Sequence, residues 1–173
     1  LLPADFPLSL PSVSGYSGGG RTMIEAYEAG TAPLHEAYAL GLSHKHLPEI
    51  MALTGLQRRP IFLPAVGNFR QGMLVQLPLH LDALPGRPLA ADLHAALARH
   101  YAASEAAGGF VKVLPPTDDG KLGATALNDT NLMELRVFAN EAHRQAVLIA
   151  RLDNLGKGAS GAAVQNLKLM LGL

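Results

Sequence analysis

The sequence predicts an α+β fold: a mixed, largely antiparallel sheet with helices packed on one face. Three observations carry this. Met73, Val75, Leu77, Leu79 and Leu81 alternate with Leu74, Gln76, Pro78, His80 and Asp82, the period of two of a strand with one packed face. Two further strand-like runs, residues 132–139 and 145–152, flank the short polar stretch Asn140 to His143, as in a hairpin. Strand-like runs also outnumber helical ones, and sequential strands that adjoin as hairpins favour this class over an all-parallel sheet.

Taken in order, residues 6–14 read as a strand and residues 20–29 as a helix closed by Gly30. Residues 37–43 are a short strand candidate. A helix starts near Pro48, with Glu49 suited to its first turn and Gly55 to its stop. Ile61 to Val66 is another apolar run. In the alternating strand that follows, Pro78 removes a ladder donor, which predicts an edge position or a bulge. From Pro88 a helix carries Leu89, Leu93, Leu97 and Tyr101 at four-residue spacing. Phe110 to Leu114 is a strand, and residues 115–130 form a polar loop. Gly156 to Leu171 closes the chain as a helix with a stripe of Ala159, Ala163, Leu167 and Met170, stopped by Gly172.

Composition narrows the function. The chain has 173 residues, enough for one domain with a real core. Fourteen basic residues balance 14 acidic ones, so nothing favours nucleic acid or a membrane surface as partner. No run is apolar enough to span a bilayer, and no leader-like segment opens the sequence. The expectation is a cytoplasmic protein. Cysteine is absent, which removes disulfides, thiolate zinc sites and any thiol nucleophile from these residues. The opening Leu1-Leu2-Pro3 reads as the middle of something longer.

The stretch from Ser14 to Arg21, Ser-Gly-Tyr-Ser-Gly-Gly-Gly-Arg, joins a strand to a helix through glycines. That geometry gathers backbone N–H groups at a helix N-terminus and attracts anions. Arg21 adds a forked donor for phosphate or carboxylate. A plain flexible turn is the other reading. In His44-Lys-His46-Leu-Pro-Glu49, His46 stands just before a helix N-terminus, where the dipole disfavours imidazolium. A neutral imidazole there suits a general base, facing the glycine turn. Solvated surface histidines are the alternative, and a metal site has no third ligand at useful spacing. Arg70, between Gly67 and Gly72, either holds a substrate carboxylate or is a loop charge. Asn128 to Asn131 is a polar turn. In the stretch Asp153 to Asn166 the small residues of the first helical turn permit close approach of another backbone or a flat ligand, or else close helix–sheet packing within the domain.

These segments, in this order and ending in Gly-Lys-Gly-Ala-Ser-Gly-Ala-Ala-Val-Gln-Asn166, resemble the carboxy-terminal part of the N-acetyl-gamma-glutamyl-phosphate reductases, in particular the shorter of that family's two sequence types. The resemblance spans nearly the whole chain. It implies the carboxy-terminal fold of aspartate-semialdehyde dehydrogenases and GAPDH-like enzymes. It implies reduction of N-acetyl-gamma-glutamyl phosphate to the semialdehyde with NADPH, through a cysteine thioester, on the route to arginine. It implies a small-molecule substrate and a homo-oligomer, dimer or tetramer. Carried over by position, His46 is the catalytic acid/base and His44 its secondary neighbour. Ser14, Gly15, Tyr16 and Ser17 belong to the turn beside the active site, and Arg21 stands where the family often has Lys or Arg; Arg70 joins the substrate-side candidates from its place between the glycines alone. Asn154, Gly158, Ala159 and Ser160 begin the helix that returns toward the cofactor. The resemblance further implies a division into a substrate and oligomerisation unit, residues 1–155, and a helix, residues 156–173, that packs back on a dinucleotide-binding domain. The family's cysteine and its cofactor glycine fingerprint have no counterpart in these residues. On this reading the chain alone is inert, and NADPH is bound mainly by residues it does not contain. The alternative is a stand-alone module for small anions or for assembly, without catalysis.

Overall fold

A computed structural model describes residues 2–172. Seven strands form one sheet in the order β2-β3-β1-β4-β7-β6-β5. The strands are β1 (Ser9–Gly15), β2 (His35–Ala37), β3 (Ile61–Gly67), β4 (Met73–His80), β5 (Val111–Val113), β6 (Met133–Asn140) and β7 (Gln145–Leu152). The helices are α1 (Arg21–Glu28), α2 (His46–Thr54), α3 (Ala90–Ala106) and α4 (Gly161–Leu171). Two pairs, β1–β3 and β5–β6, are parallel; the remaining neighbours are antiparallel. The sheet is therefore mixed and largely antiparallel.

The core lies on one face. Leu79 of β4, Ala146 of β7 and Val137 of β6 point the same way through the register. They pack with Leu81, Leu84 and Leu93, and half-buried Leu97 of α3 covers them. The four-residue spacing read from sequence is thus the seam of α3 from Leu93 onward; Leu89 only precedes the helix and is 51% exposed. Asp92 accepts the Leu89 N–H at 2.8 Å and fixes the start of this helix.

The opposite face divides in two. Over β6 and β7 the 115–130 loop closes it. There Arg136 donates to the carbonyl of Pro115, and Arg151 to that of Gly123, while both pair with Glu134. Over β3, β1 and β4 it is open. Ile61 is 46% exposed and Leu63 38%, with half-buried Pro11, Val13 and Leu74 beside them.

Several expectations need correction. The strand expected at 37–43 is instead His35–Ala37; positive φ at Ala39 (51°) and Leu42 (55°) breaks the extended run. α2 begins two residues before Pro48, because a proline in the first turn lacks only a donor that the helix leaves unused. Pro78 carries no bulge, for it pairs in register with Val147, and β4 is an inner strand of the sheet. Pairing of β4 with β1 ends at Val75, so beyond that point β4 is locally an edge and a donor missing on that flank breaks no bond. The final helix is two pieces, a π-helical turn at Gly156–Ser160 and then α4. Its apolar stripe is uncovered: Leu167 is 55% exposed and Met170 83%.

Candidate functional site

β1 delivers Ser14 and Gly15 to the end of the sheet, where the chain turns through Tyr16–Gly19 in one 3-10 turn and enters α1. The turn is laced to the β3–β4 loop. Gly15 N–H donates to Gly72 O, Tyr16 N–H to Phe69 O and Ser17 N–H to Arg70 O, at 2.9, 3.0 and 3.0 Å. A Cβ on Gly15 would stand 2.5 Å from Arg70 O, so this close approach requires glycine. Gly20 has φ 81°, the bend that lets α1 start at Arg21. Gly18, Gly19 and Gly20 are exposed. The first N–H groups of α1 beyond them have no intrahelical acceptor.

Asn154, one residue past Asp153 at the end of β7, completes the seam. Its Nδ2 donates to Ser17 Oγ at 2.9 Å, and Gly72 N–H donates to its Oδ1 at 2.8 Å. Asp153 is buried and takes three donors: Gln71 Nε2, Asp129 N–H and Leu155 N–H, at 2.9, 2.8 and 2.9 Å. Gln71 also reaches Asp129 Oδ1. A hollow of about 360 Å³ lies against this network, lined by Gln71, Asp129, Asn131, Asp153, Gly156 and Ser160 among others. Four segments distant in sequence therefore meet at one end of the sheet: the glycine turn, the 67–72 loop, the 128–131 turn and the segment after β7.

Tyr16 stacks on Tyr27 of α1, rings 4.9 Å apart and 8° from parallel. Tyr27 is buried with no partner for its hydroxyl, and burial, then Glu36, raises its pKa. Asp153 opens the Asp153–Asn166 stretch and Gln71 lies in the Gly67–Gly72 motif, but the sequence assigns no role to either, nor to Tyr27. The Asp153-to-Leu155 N–H contact is a local Asx turn and was legible in principle. Gln71 and Tyr27 carried no sequence signal.

The predicted side chains distribute unevenly. Arg21 pairs with Glu25 on the solvent side of α1, with 91% of its side chain exposed. Arg70 contributes its carbonyl to the turn, and its side chain is exposed. Gly158, Ala159 and Ser160 form the exposed surface of the π-turn. Its ends are tied by Gly158 N–H to Asp153 O and by Ser160 Oγ to Leu155 O, both at 2.9 Å.

The histidines sit elsewhere. The His44 ring packs 5.0 Å from Phe62 and 4.8 Å from the His46 ring, with Tyr38 at 5.8 Å. Phe62 lies near the start of β3, five residues before Gly67, or about 16 Å along the strand. No hydrogen bond or aromatic contact among the described residues joins the imidazoles to the glycine turn. His46 N–H donates to His44 Nδ1 at 3.2 Å, which leaves Nε2 as the proton-bearing atom of a neutral His44. Desolvation, then the charges of His46 and Lys45, hold the His44 pKa below its usual 6.5. Among the described residues no cluster of three His, Asp or Glu could hold a metal ion. No helix there is long and apolar enough to cross a membrane.

Sheet, helical cover and glycine seam together place the chain in a class. A profile described as "Semialdehyde dehydrogenase, dimerisation domain" matches residues 1–154, and the chain belongs to that family. Solved relatives share the fold. An aspartate semialdehyde dehydrogenase II from Vibrio cholerae superposes with TM-score 0.62 at 13% identity over 95% of this chain and 54% of the other. A probable aspartate-semialdehyde dehydrogenase from Pseudomonas aeruginosa gives 0.65 at 18% over 95% and 55%. Among curated proteins, the chain is 53% identical to the N-acetyl-gamma-glutamyl-phosphate reductase of Chelativorans sp., across 99% of this chain and 56% of that protein. It is 46% identical to N-acetyl-gamma-glutamyl-phosphate reductase 2 of Nostoc sp., across 100% and 57%. The chain thus spans little more than half the length of these relatives.

Proposed function

We propose that this chain is the substrate-side and assembly domain of an N-acetyl-gamma-glutamyl-phosphate reductase. The observation that carries the reading is the convergence of the glycine turn, the 67–72 loop, the 128–131 turn and the segment from Asp153 onward in one hydrogen-bonded seam. The high identity to proteins of that name supports it. In this role the exposed amides of Gly18–Gly20 and the start of α1 attract the anionic end of the substrate. Ser14, Gly15, Tyr16 and Ser17 shape that seat. Arg70 stands beside it, and Arg21 reaches a ligand only by leaving Glu25.

The cysteine nucleophile and most of the NADPH site belong to residues outside this chain, and the chain alone is inert. NADPH supplies a hydride when bound. This chain's fit to the cofactor is limited to a shelf of small exposed residues, Gly158, Ala159 and Ser160, which admits a flat ring closely. Residues 156–173 then pack back on the dinucleotide-binding domain, which would cover Leu167 and Met170. Half-buried His44, whose Nδ1 accepts the His46 N–H and whose Nε2 carries the proton, is held as a hydrogen-bond donor, which leaves His46 as the acid/base of the pair. For His46 to exchange the proton, the His44–His46 segment has to approach the glycine turn from its place against Phe62, about 16 Å along β3 from Gly67.

Titration of the chain with inorganic phosphate and with N-acetylglutamate tests the seat, with chloride at equal ionic strength as control. Thermal stability is expected to rise by mass action, by about 2.7 kcal/mol at a hundredfold excess over Kd. No rise with either ligand would remove the anion seat and leave the assembly role. That second role is favoured independently by the open apolar face of β3, β1 and β4.

A further inference from the structure

We infer that Asn154 is the positioning residue of the glycine turn, and that it fixes the Ser17 hydroxyl as an outward-pointing donor. The claim deepens the proposed anion seat and rests on that reading for what the turn holds, though not for the joint itself. Ser17 Oγ accepts the Asn154 Nδ2 proton at 2.9 Å. A hydroxyl has one proton, and an amide nitrogen in this position offers it no lone pair. The Ser17 proton is therefore turned away from Asn154, toward whatever the turn faces. An anion or a carbonyl oxygen is the ligand chemistry that accepts it.

Asn154 can impose this because its own orientation is fixed. Gly72 N–H donates to Oδ1 at 2.8 Å, and a flipped amide would set two donors against each other there. The backbone behind it is pinned by buried Asp153 through Gln71, Asp129 and Leu155. The slot is also close. A Cβ on Gly18 would come within 3.3 Å of Asn154 Nδ2, so the amide fills the space under the exposed glycines. One side chain thus sets where the turn stands relative to the π-turn two residues further on.

The test uses the 173-residue chain labelled with 15N. The side-chain amide resonance of Asn154 is expected to shift on Ser17→Ala, which leaves the Gly72 bond intact. Asn154→Asp keeps an acceptor for Gly72 but replaces the donor by a second acceptor, so Ser17 turns its proton inward. Inorganic phosphate should then bind at least tenfold more weakly, with backbone shifts confined to residues 15–20 and 71–73. Ser17→Ala should lose most of the same affinity, and the double variant little more. An Asn154 amide resonance indifferent to Ser17→Ala overturns the inference, and so does wild-type phosphate affinity in Asn154→Asp. If Asn154→Asp fails to fold, the Ser17→Ala arm decides alone. If the wild-type chain binds no phosphate, the anion seat falls, and the joint is judged on the amide resonance by itself.

Discussion

Gly15 and His44 show how single atoms hold this molecule. A methyl group at position 15 would press on the Arg70 carbonyl, which backbone hydrogen bonds keep in place. Gly15→Ala is expected to cost about 1–3 kcal/mol, the usual penalty for overpacking. At this chain length that lowers Tm by roughly 2–4 °C per kcal/mol, read by calorimetry. His44 gives a pH effect of definite sign. Its folded pKa lies below 6.5, so between the folded value and 6.5 the unfolded chain binds more protons and stability rises with pH. This stability is fully present above 6.5 and is lost as pH falls through the folded pKa. Urea unfolding from about pH 5 to about pH 8 should show that limb, and His44→Gln should flatten it. An unchanged slope in the variant would mean that another group titrates there.

Elements divide into those with a local cause and those without. The alternation from Met73 and the spacing from Leu93 to Tyr101 were legible because one packed face imposes one period, which Leu89, exposed just before α3, does not share. Leu93 is 1% exposed beneath that seam. Leu93→Ala is expected to cost about 2–5 kcal/mol, with a matching fall in Tm and no change in the Gly15–Gly20 amide shifts. By contrast β2 is three exposed residues paired to β3. No hydrophobic pattern marks it, since its reason to exist is the unpaired flank of β3. Pro78 marks an edge that is only local, and how far β1 reaches along β4 is not written near residue 78. The five motif segments stood out in the sequence, and four of them meet in the seam. The histidine segment, grouped with them by order, lies farther down the β1–β3 pair. The partners Gln71 and Asp153 are 82 residues apart, beyond any local reading.

At the scale of the whole molecule, one half of the sheet is sealed by the 115–130 loop and the other half is bare. A second copy laid on Ile61, Leu63, Pro11 and Val13 would bury the bare half, in keeping with the dimerisation family to which the chain belongs. Leu63→Lys should shift sedimentation toward the monomer while circular dichroism stays unchanged. Equal sedimentation of variant and wild type would move the contact to another surface. The order of the strands has a consequence for biogenesis. β7 lies between β4 and β6, and Met73 meets Leu152. The middle of the sheet is closed by the last strand to be synthesised. A nascent chain halted before Gln145 carries β4 and β6 with nothing between them, each offering a bare apolar edge. Such a species invites wrong partners, so this domain reaches its native state only after nearly the full length of these residues has left the ribosome.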